Sequence, residues 1–344
     1  MELKQRMRLT AITAGLEISH LAHKLNTFSK ARGRGVIFTL HHVRPHIERT
    51  FNPNAHLEIT PQFLDCLLGR LKSDGYRFIR LQEVPDYLSK ADAQNPFAVF
   101  TLDDGYKNNK QYATPIFERH ECPFTIFIAG GLAERTHSLW WETLSKLLNE
   151  TSDIQFDFGE GLEKLQATTS AEKTNLFSRF AGFVHAGNEA ERVAQLDTFA
   201  LRCGIEPISL VDDLVMTPLE LRQIAEHPLV DFGAHTMSHR AVGRLPPADA
   251  FQEMQASADY LESLTRRRPS SIAFPYGTKE AATERDGGLA AQAGFKLAVT
   301  TQPGIINDKA AMTYLPRMSI NGLYQRPRYV AALASGIPLK LMGR

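Results

Sequence analysis

The sequence predicts an α/β protein built on a mostly parallel sheet, either open or closed into a barrel. From Gly35 onward, short apolar runs alternate with segments of helical periodicity, a pattern typical of parallel sheets with crossover helices. The 344 residues are enough for one large α/β domain or two ordinary ones. A hydrophobic content of 43% and a formal net charge of +1 are ordinary for a globular protein and give no electrostatic argument for a nucleic-acid partner.

Eight short apolar runs are the candidate strands. The first, GVIFTLHHV, starts at Gly35 and precedes a predicted helix with Thr60 as its N-cap and Pro61 in its first turn. The later runs are RFIRL, FAVFTL, FTIFIAG, LVDFGAH, SSIAFPYG, FKLAVTT and YLPRMSI. The clearest of the helices between them has one apolar face, formed by Phe251, Met254, Ala258, Leu261 and Leu264.

The alternating pattern divides the chain into a barrel and its additions. Residues 35–325 carry the pattern, and residues 326–344 predict a C-terminal helix. Residues 132–216 are long, polar and mostly helical in character. Because the strand–helix pattern resumes after them, they indicate a helical insertion rather than a second domain.

The N-terminal segment, residues 1–34, predicts an amphipathic helical extension. Its short apolar run is interrupted by Glu17 and is too short to span a bilayer. Its excess of basic residues leaves two interpretations open: weak attachment to an anionic membrane surface, and packing against the domain or a partner chain.

The cysteines indicate a reducing compartment. Cys66, Cys122 and Cys203 are widely spaced and odd in number, so they form neither a metal motif nor a disulfide framework. The expected location is therefore the cytoplasm, with peripheral contact at the inner membrane face as the variant that the basic N-terminal segment suggests.

Polar residues follow four of the predicted strands. The carboxyl ends of parallel strands share one edge of a sheet, so these residues are expected to converge. One group, HTMSH, holds two histidines four residues apart, which on a helical turn would share a face and reach one ion, with Gly233 permitting close approach. A helix also carries such a pair for packing or solubility. Beside a carboxylate from another strand end, the pair predicts a catalytic metal site.

Two adjacent aspartates, Asp103 and Asp104, follow FAVFTL directly. Successive side chains of an extended backbone point in different directions, so one carboxylate can bind a metal while the other acts on a water as general base. A cation would offset their repulsion and keep both ionised, and Gly105 would permit a tight turn. The alternative is an N-cap or Asx turn at the start of the next helix.

TLDDG, HTMSH and FPYG, in this order behind successive strands, resemble the polysaccharide deacetylases with a NodB-homology domain. VIFTLHHVRP resembles the opening strand of the subgroup that has a histidine there and no late Leu-x-His motif. The resemblance covers roughly residues 35–320, interrupted by the insertion. It implies a distorted (β/α) barrel of the NodB-homology type and removal of acetyl groups from N-acetylated sugars with a divalent metal, most often Zn²⁺.

The resemblance also implies roles for particular residues. Asp103 would be the general base, and the metal ligands would be Asp104, His235 and His239. The backbone N–H of Tyr276 would stabilise the oxyanion, although FPYG alone also fits a simple proline–glycine turn.

Two features depart from the family's pattern. Ala273 stands where well-known members have an arginine, and no histidine follows His239 to act as the late general acid. His41 is the candidate replacement, because its strand end faces the same edge and imidazole titrates in a suitable range, whereas His42 would point away. Another proton donor and an impaired site remain alternatives. Arg317 would orient Asp103 in place of the missing arginine, or else serve a surface or capping role.

Substrate contacts are predicted at Trp140, Trp141 and Pro275. Flat aromatic faces stack on sugar rings, but at least one tryptophan is expected to anchor the insertion instead. The predicted function is metal-dependent deacetylation of an N-acetylated glycan or glycan precursor. Two alternatives stay open: an amide hydrolase acting on a small linear or cyclic amide, and a non-catalytic carbohydrate-binding relative.

Overall fold

A curled parallel sheet forms the centre of the fold, as the sequence predicts. The structure is a computed structural model that describes residues 13–17, 19, 29–90 and 95–343. Its strands are β1 (Gly35–Leu40), β2 (His42–Val43), β3 (Glu58–Ile59), β4 (Arg77–Phe78), β5 (Phe97–Leu102), β6 (Phe124–Ile128), β7 (Asp153–Asp157), β8 (Leu162–Gln166), β9 (Val230–Ala234), β10 (Ser271–Ala273), β11 (Leu297–Val299) and β12 (Met318–Ser319).

The main sheet has the order β11-β10-β9-β6-β5-β1-β12, and β4 pairs with β5 outside this order. All its pairings are parallel, and Phe100 of β5 lies opposite Phe38 on one side and Phe124 on the other. Leu315, just before β12, donates from its N–H to Ala298 O (2.8 Å) and accepts from Thr300 N–H (2.9 Å). The segment that leads into β12 thus joins the two ends of the sheet, and the result is a distorted barrel.

Helices surround the sheet and fill the insertion. They are α1 (Pro61–Ser73), α2 (Val84–Ser89), α3 (Thr114–Arg119), α4 (Gly130–Ala133), α5 (Trp140–Glu150), α6 (Ser170–His185), α7 (Glu189–Arg202), α8 (Pro207–Leu214), α9 (Pro218–Ala225), α10 (Pro247–Thr265), α11 (Glu284–Gln292), α12 (Pro327–Ala334) and α13 (Ile337–Leu341). The predicted cap of α1 is confirmed, because Thr60 Oγ1 accepts from Phe63 N–H at 3.2 Å.

The two faces of the barrel strands pack into different cores. Phe38 and Phe100 face the helices and belong to the largest buried cluster. Ile37, Val99 and Phe127 face the other way and fill the interior of the barrel. These strands are buried on both faces, which explains why they read as continuous apolar runs rather than as alternating ones.

Residues 132–216 contain an antiparallel hairpin that was not predicted from the sequence. Helices α5 to α8 are present, but β7 and β8 also form an antiparallel hairpin between α5 and α6. Ile154 and Phe156 of β7 are buried, and Phe156 packs against Phe180 with ring centroids 4.7 Å apart. The insertion therefore has a hydrophobic core of its own, which continues to the edge of the barrel through Tyr106 and Val215.

A buried acid inside the insertion gives a pH-dependent prediction. Asp197 accepts from Ser138 Oγ at 2.7 Å, and burial raises its pKa from 3.8 to about 6. A pKa raised by folding favours the folded state below about pH 4, and this stabilisation is lost as the pH rises through about 6.

Asp197→Asn is therefore expected to raise the melting temperature at about pH 8 by about 2–4 °C, with a smaller gain at about pH 5. Thermal unfolding at both pH values measures this. An equal gain at both, or a loss at the higher pH, would contradict the assignment.

A described N-terminal residue contacts the C-terminal helical region. Residues 13–17 are helical, and Glu17 accepts from Arg328 Nη2 at 2.6 Å and from Tyr329 Oη at 2.7 Å. Most of the predicted N-terminal helical extension lies outside the described residues. The predicted C-terminal helix is divided into α12 and α13 at Gly336, whose φ is 70°. Within the described ranges, the helices are too short or too polar to cross a bilayer.

Candidate active site and metal centre

The predicted strand-end residues converge at one edge of the barrel. DDG follows β5, HTMSH follows β9 and FPYG follows β10, and β9 pairs in parallel with β10 and with β6, the neighbour of β5. Their side chains line a common cavity of about 460 Å³. This volume lies within the range of pockets that bind small molecules.

Three of these residues form a compact group of potential metal ligands. One atom each from Asp104, His235 and His239 lies within 4.8 Å of the others, and all three residues are buried. Asp104 Oδ1 is 3.5 Å from His235 Nε2 and 3.2 Å from His239 Nε2. A carboxylate and two imidazoles facing one point form a donor set that suits a divalent metal with open positions for water and substrate.

Hydrogen bonding fixes the orientation of His235. Its Nδ1 lies 2.7 Å from the carbonyl oxygen of Ala273, so Nδ1 carries a proton and Nε2 faces Asp104. Ala273 stands at the position where the sequence comparison expected an arginine, and its carbonyl oxygen orients His235.

The HTMSH segment is not helical, so the predicted helical turn is wrong. It is a loop in which Thr236 and His239 have positive φ values of 61° and 56°, and Thr236 Oγ1 accepts from His239 N–H at 3.0 Å. This turn brings the two imidazoles to 4.9 Å between ring centroids. The prediction that both histidines reach one ion therefore holds geometrically, but by a different backbone route.

Backbone strain concentrates at this edge. Of the seven non-glycine residues with positive φ in the described chain, four belong to the motifs: Asp104, Thr236, His239 and Tyr276. Gly105 follows with a φ of 68°, as the predicted tight turn requires, and a Cβ on Gly233 would lie 2.2 Å from Phe127 Cε1. Strained residues persist where the surrounding structure holds them, and they cluster at functional sites.

A second observation indicates that the group of Asp104, His235 and His239 could bind a cation. Asp104 Oδ1 is buried and, among the described residues, has no hydrogen-bond partner, although two imidazole nitrogens lie close to it. Burial alone would lower the pKa of His235, but Asp104 and Asp103 raise it, so the negative charge at this point attracts a proton or a metal ion. An orphaned buried carboxylate oxygen is costly unless a cation binds there.

Asp103 is held by a buried arginine. Arg317 Nη1 and Nη2 each donate to a different carboxylate oxygen of Asp103 at 2.7 Å, and the arginine is fully buried. Arg317 also donates to Thr300 O at 2.8 Å and to Thr101 Oγ1 at 2.9 Å. Burial would raise the pKa of Asp103, but Arg317 outweighs it and lowers that pKa. Of the two sequence-based alternatives for Arg317, the structure supports orientation of Asp103.

The two histidines after β1 have different surroundings. His41 lines the cavity, and its Nε2 is 4.0 Å from Asp103 Oδ2. Burial lowers the pKa of His41 to about 4 against the opposing charge of Asp103, so the imidazole is neutral near pH 7. His42 is fully buried, stacks on Tyr106 at 3.6 Å between ring centroids, and its Nδ1 lies 2.8 Å from Asn108 Nδ2. It does not line the cavity, as expected for a side chain that points away.

Tyr276 faces the cavity and has a left-handed backbone conformation, with φ of 60°. Its backbone N–H has no acceptor among the described residues, so it is free to donate to a substrate oxygen. Pro275 is buried, accepts from Gly277 N–H at 2.6 Å and does not line the cavity. The structure therefore does not bring the predicted substrate contact at Pro275 to the cavity surface.

Both tryptophans line the cavity and also pack inside the insertion. Trp141 lies 4.9 Å from the ring of His239, and its Nε1 donates to Tyr106 Oη at 3.3 Å. Trp140 Nε1 donates to Tyr276 Oη at 2.8 Å. Trp140 is 6% exposed and Trp141 is 7% exposed, so packing that anchors the insertion covers most of both side chains.

Three residues of the insertion lie at the site although no sequence pattern predicted them there. Phe177 and His185 of α6 line the cavity. Glu189 at the start of α7 accepts from Tyr276 Oη at 2.7 Å and from Ala241 N–H at 3.0 Å, and so holds the FPYG and HTMSH loops together. No motif or spacing in the sequence identifies these residues as part of a site. The sequence shows only that His185 and Glu189 lie on either side of a break between two helices.

Comparisons with known proteins bear on the family and the fold of this chain. A family model described as polysaccharide deacetylase matches residues 179–298, which include HTMSH and FPYG but not the two aspartates. No curated protein matches the chain by sequence.

Several solved structures share the fold at low sequence identity. A Streptococcus pyogenes deacetylase, PplD, in complex with acetate matches with a TM-score of 0.55 and 18% identity over 86% of this chain and 96% of its own. IcaB from Ammonifex degensii matches with a TM-score of 0.56 and 17% identity over 88% of this chain and 98% of its own. A de-N-acetylase from Aggregatibacter actinomycetemcomitans matches with a TM-score of 0.52 and 16% identity over 83% of this chain and 95% of its own.

These matches confirm the resemblance and the fold class that the sequence motifs indicate. Residues 179–298 match the family by sequence, and β5, which precedes Asp103 and Asp104, belongs to the same barrel. Residues 179–298 therefore match a polysaccharide deacetylase family model, and the chain has the fold of the NodB-type deacetylases.

Proposed function

We propose that this protein is a metal-dependent hydrolase that removes N-acetyl groups from a glycan or glycan precursor. One observation carries the proposal: the orphaned Asp104 Oδ1 between two imidazoles lies next to Asp103, a second carboxylate with its own buried arginine. The family match and the deacetylase fold support the substrate class. Zn²⁺ is the metal that the ligand set favours.

The residues divide the work of amide hydrolysis between them. Asp104, His235 and His239 would hold the metal, which supplies Lewis-acid polarisation of the acetyl carbonyl. Asp103, ionised beside Arg317, takes a proton from the attacking water. Tyr276 N–H donates to the carbonyl oxygen as negative charge develops on it.

His41 is proposed to return a proton to the leaving amine. Because burial keeps its imidazole neutral, that proton has to reach it during the reaction, and Asp103 at 4.0 Å is the group placed to pass on the proton taken from water. This arrangement would replace the late histidine that the chain lacks.

The proposal is tested by acetate release. Purified protein would be stripped with a chelator, reloaded with Zn²⁺ and assayed on N-acetylglucosamine oligomers and on small linear and cyclic amides. Metal-dependent acetate release from the oligomers supports the proposal. Hydrolysis of only the small amides favours the alternative amide hydrolase, and glycan binding without metal or hydrolysis favours the non-catalytic relative.

His41→Ala is expected to lower kcat by about 10²–10⁴-fold while the protein keeps its metal, because it removes proton transfer and no metal ligand. Turnover and metal content would be measured on the same preparation. His46→Ala, an exposed histidine on the same segment, is the control and should leave both unchanged. Unchanged turnover in His41→Ala would remove His41 from the mechanism.

A further inference from the structure

The walls of the catalytic cavity come from two segments outside the barrel. The segment between β2 and β3 and the insertion both reach over the edge at which the aspartates and histidines lie. Their cavity-lining residues include Asn54, Leu57, Trp140, Trp141, Phe177 and His185. The shape of the substrate that can enter depends on whether these walls leave a passage between them.

The first pair of walls is joined directly. Asn54 Nδ2 donates to Trp141 O at 3.1 Å and to Glu142 Oε1 at 3.0 Å, and Asn54 is only 3% exposed. Asn149 Nδ2, from the same helix α5, donates to Phe51 O at 3.2 Å. The β2–β3 segment and α5 therefore form one continuous wall, because buried amide hydrogen bonds are costly to break.

The same wall continues into the barrel loops. Trp140 of α5 donates to Tyr276 Oη at 2.8 Å, and that hydroxyl donates to Glu189 of α7 at 2.7 Å. Thr301, after β11, donates from its hydroxyl to Tyr276 O at 2.6 Å. The joined wall thus runs from Asn54 across the insertion to the end of β11.

On its other side, the β2–β3 segment meets the chain that follows β12. A Cβ on Gly322 would lie 2.0 Å from Glu58 O and 2.1 Å from Ala55 O, so the two backbones are in direct contact. Thr60 N–H donates to Gln325 Oε1 at 2.8 Å. The wall is therefore anchored at both of its ends.

We propose that the site takes its substrate end-on, so that the acetylated sugar that reacts is a terminal unit of a glycan. A glycan that is bound through an internal sugar unit extends from the reaction centre in two directions, so it needs a groove with two exits. A second exit here would require the contacts Asn54–Trp141, Trp140–Tyr276 or Ala55–Gly322 to part. This inference rests on the proposed deacetylase function and narrows its substrate.

The test uses the Zn²⁺-loaded full chain and N-acetylglucosamine oligomers of two lengths that carry a fluorescent label at the reducing end. Fragmentation mass spectrometry locates each lost acetyl group. We expect loss from the terminal unit alone, with kcat/KM that does not rise with oligomer length. Loss from internal units, or kcat/KM that rises with the number of units, overturns the inference and leaves the deacetylase function intact. No acetate from any oligomer overturns both.

A variant tests the wall itself. Asn54→Ala removes the two bonds to α5 and is expected to form internally deacetylated product that the wild type does not form. Lys146→Ala, on the exposed side of the same helix, is the matched control and should keep the wild-type product pattern. An unchanged pattern in a folded Asn54→Ala contradicts the role given to this joint. Should that variant not fold, the wild-type product analysis still decides the proposal.

Discussion

Asp103→Asn is expected to lower kcat by about 10²–10⁴-fold while the protein still binds its metal, because the variant removes the base and keeps all three ligands. The amide has almost the same shape as the carboxylate, so the geometry around Asp104 should be preserved. Steady-state acetate release and metal content, measured on the same sample, check both parts of the prediction.

The matched control for this variant is Asp231→Asn. Asp231 also pairs with an arginine, Arg80, at 2.5 Å, but it lies near the start of β9 and does not line the catalytic cavity. Its replacement should leave kcat unchanged. If Asp103→Asn loses the metal together with activity, or keeps most of its kcat, the division of labour between the two aspartates is wrong.

Arg317→Met is expected to lower the free energy of unfolding by about 3–5 kcal/mol, because it leaves the Asp103 carboxylate buried without its countercharge. Activity should fall as well, since the base loses both the orientation and the charge that keep it ionised. Urea denaturation measures the stability. Arg317→Lys keeps the charge but not the two-point contact, so it should fall between the wild type and Arg317→Met.

A double-variant cycle separates this pairing from general packing damage. With Asp103→Asn in place, Arg317→Met no longer strands a buried carboxylate, so the two losses should sum to more than the loss in the double variant. Simple additivity would show that Arg317 stabilises the barrel through packing and its bonds to Thr300 and Thr101 instead.

The sequence was sufficient to predict how the main site residues converge. Parallel strands bring their carboxyl ends to one edge, so Asp104 and His235 could be brought together without knowing the 130 residues between them. The two-histidine spacing was informative about chemistry but not about backbone, because a loop with positive φ at Thr236 and His239 gives the same convergence as a helical turn.

Other parts of the site could not be predicted from local patterns. Arg317 lies 214 residues after Asp103, and only the path of the chain into β12 shows that its guanidinium is buried against that carboxylate. His185 lines the cavity and Glu189 accepts a hydrogen bond from Tyr276 because the insertion folds back on the barrel, and no spacing in the sequence indicates this fold-back. The β7–β8 hairpin did leave a signal: Ile154 and Phe156 alternate with polar residues ahead of Gly159 and Gly161.

The proposed chemistry depends on one centre, the point between Asp104 Oδ1, His235 Nε2 and His239 Nε2. Anomalous diffraction from crystals of active, Zn²⁺-loaded protein tests this centre most directly. We expect one strong peak within bonding distance of all three atoms, and we expect Asp104→Ala to lose both this peak and acetate release. An active preparation with no peak there, or with its metal bound elsewhere, would contradict the proposed chemistry.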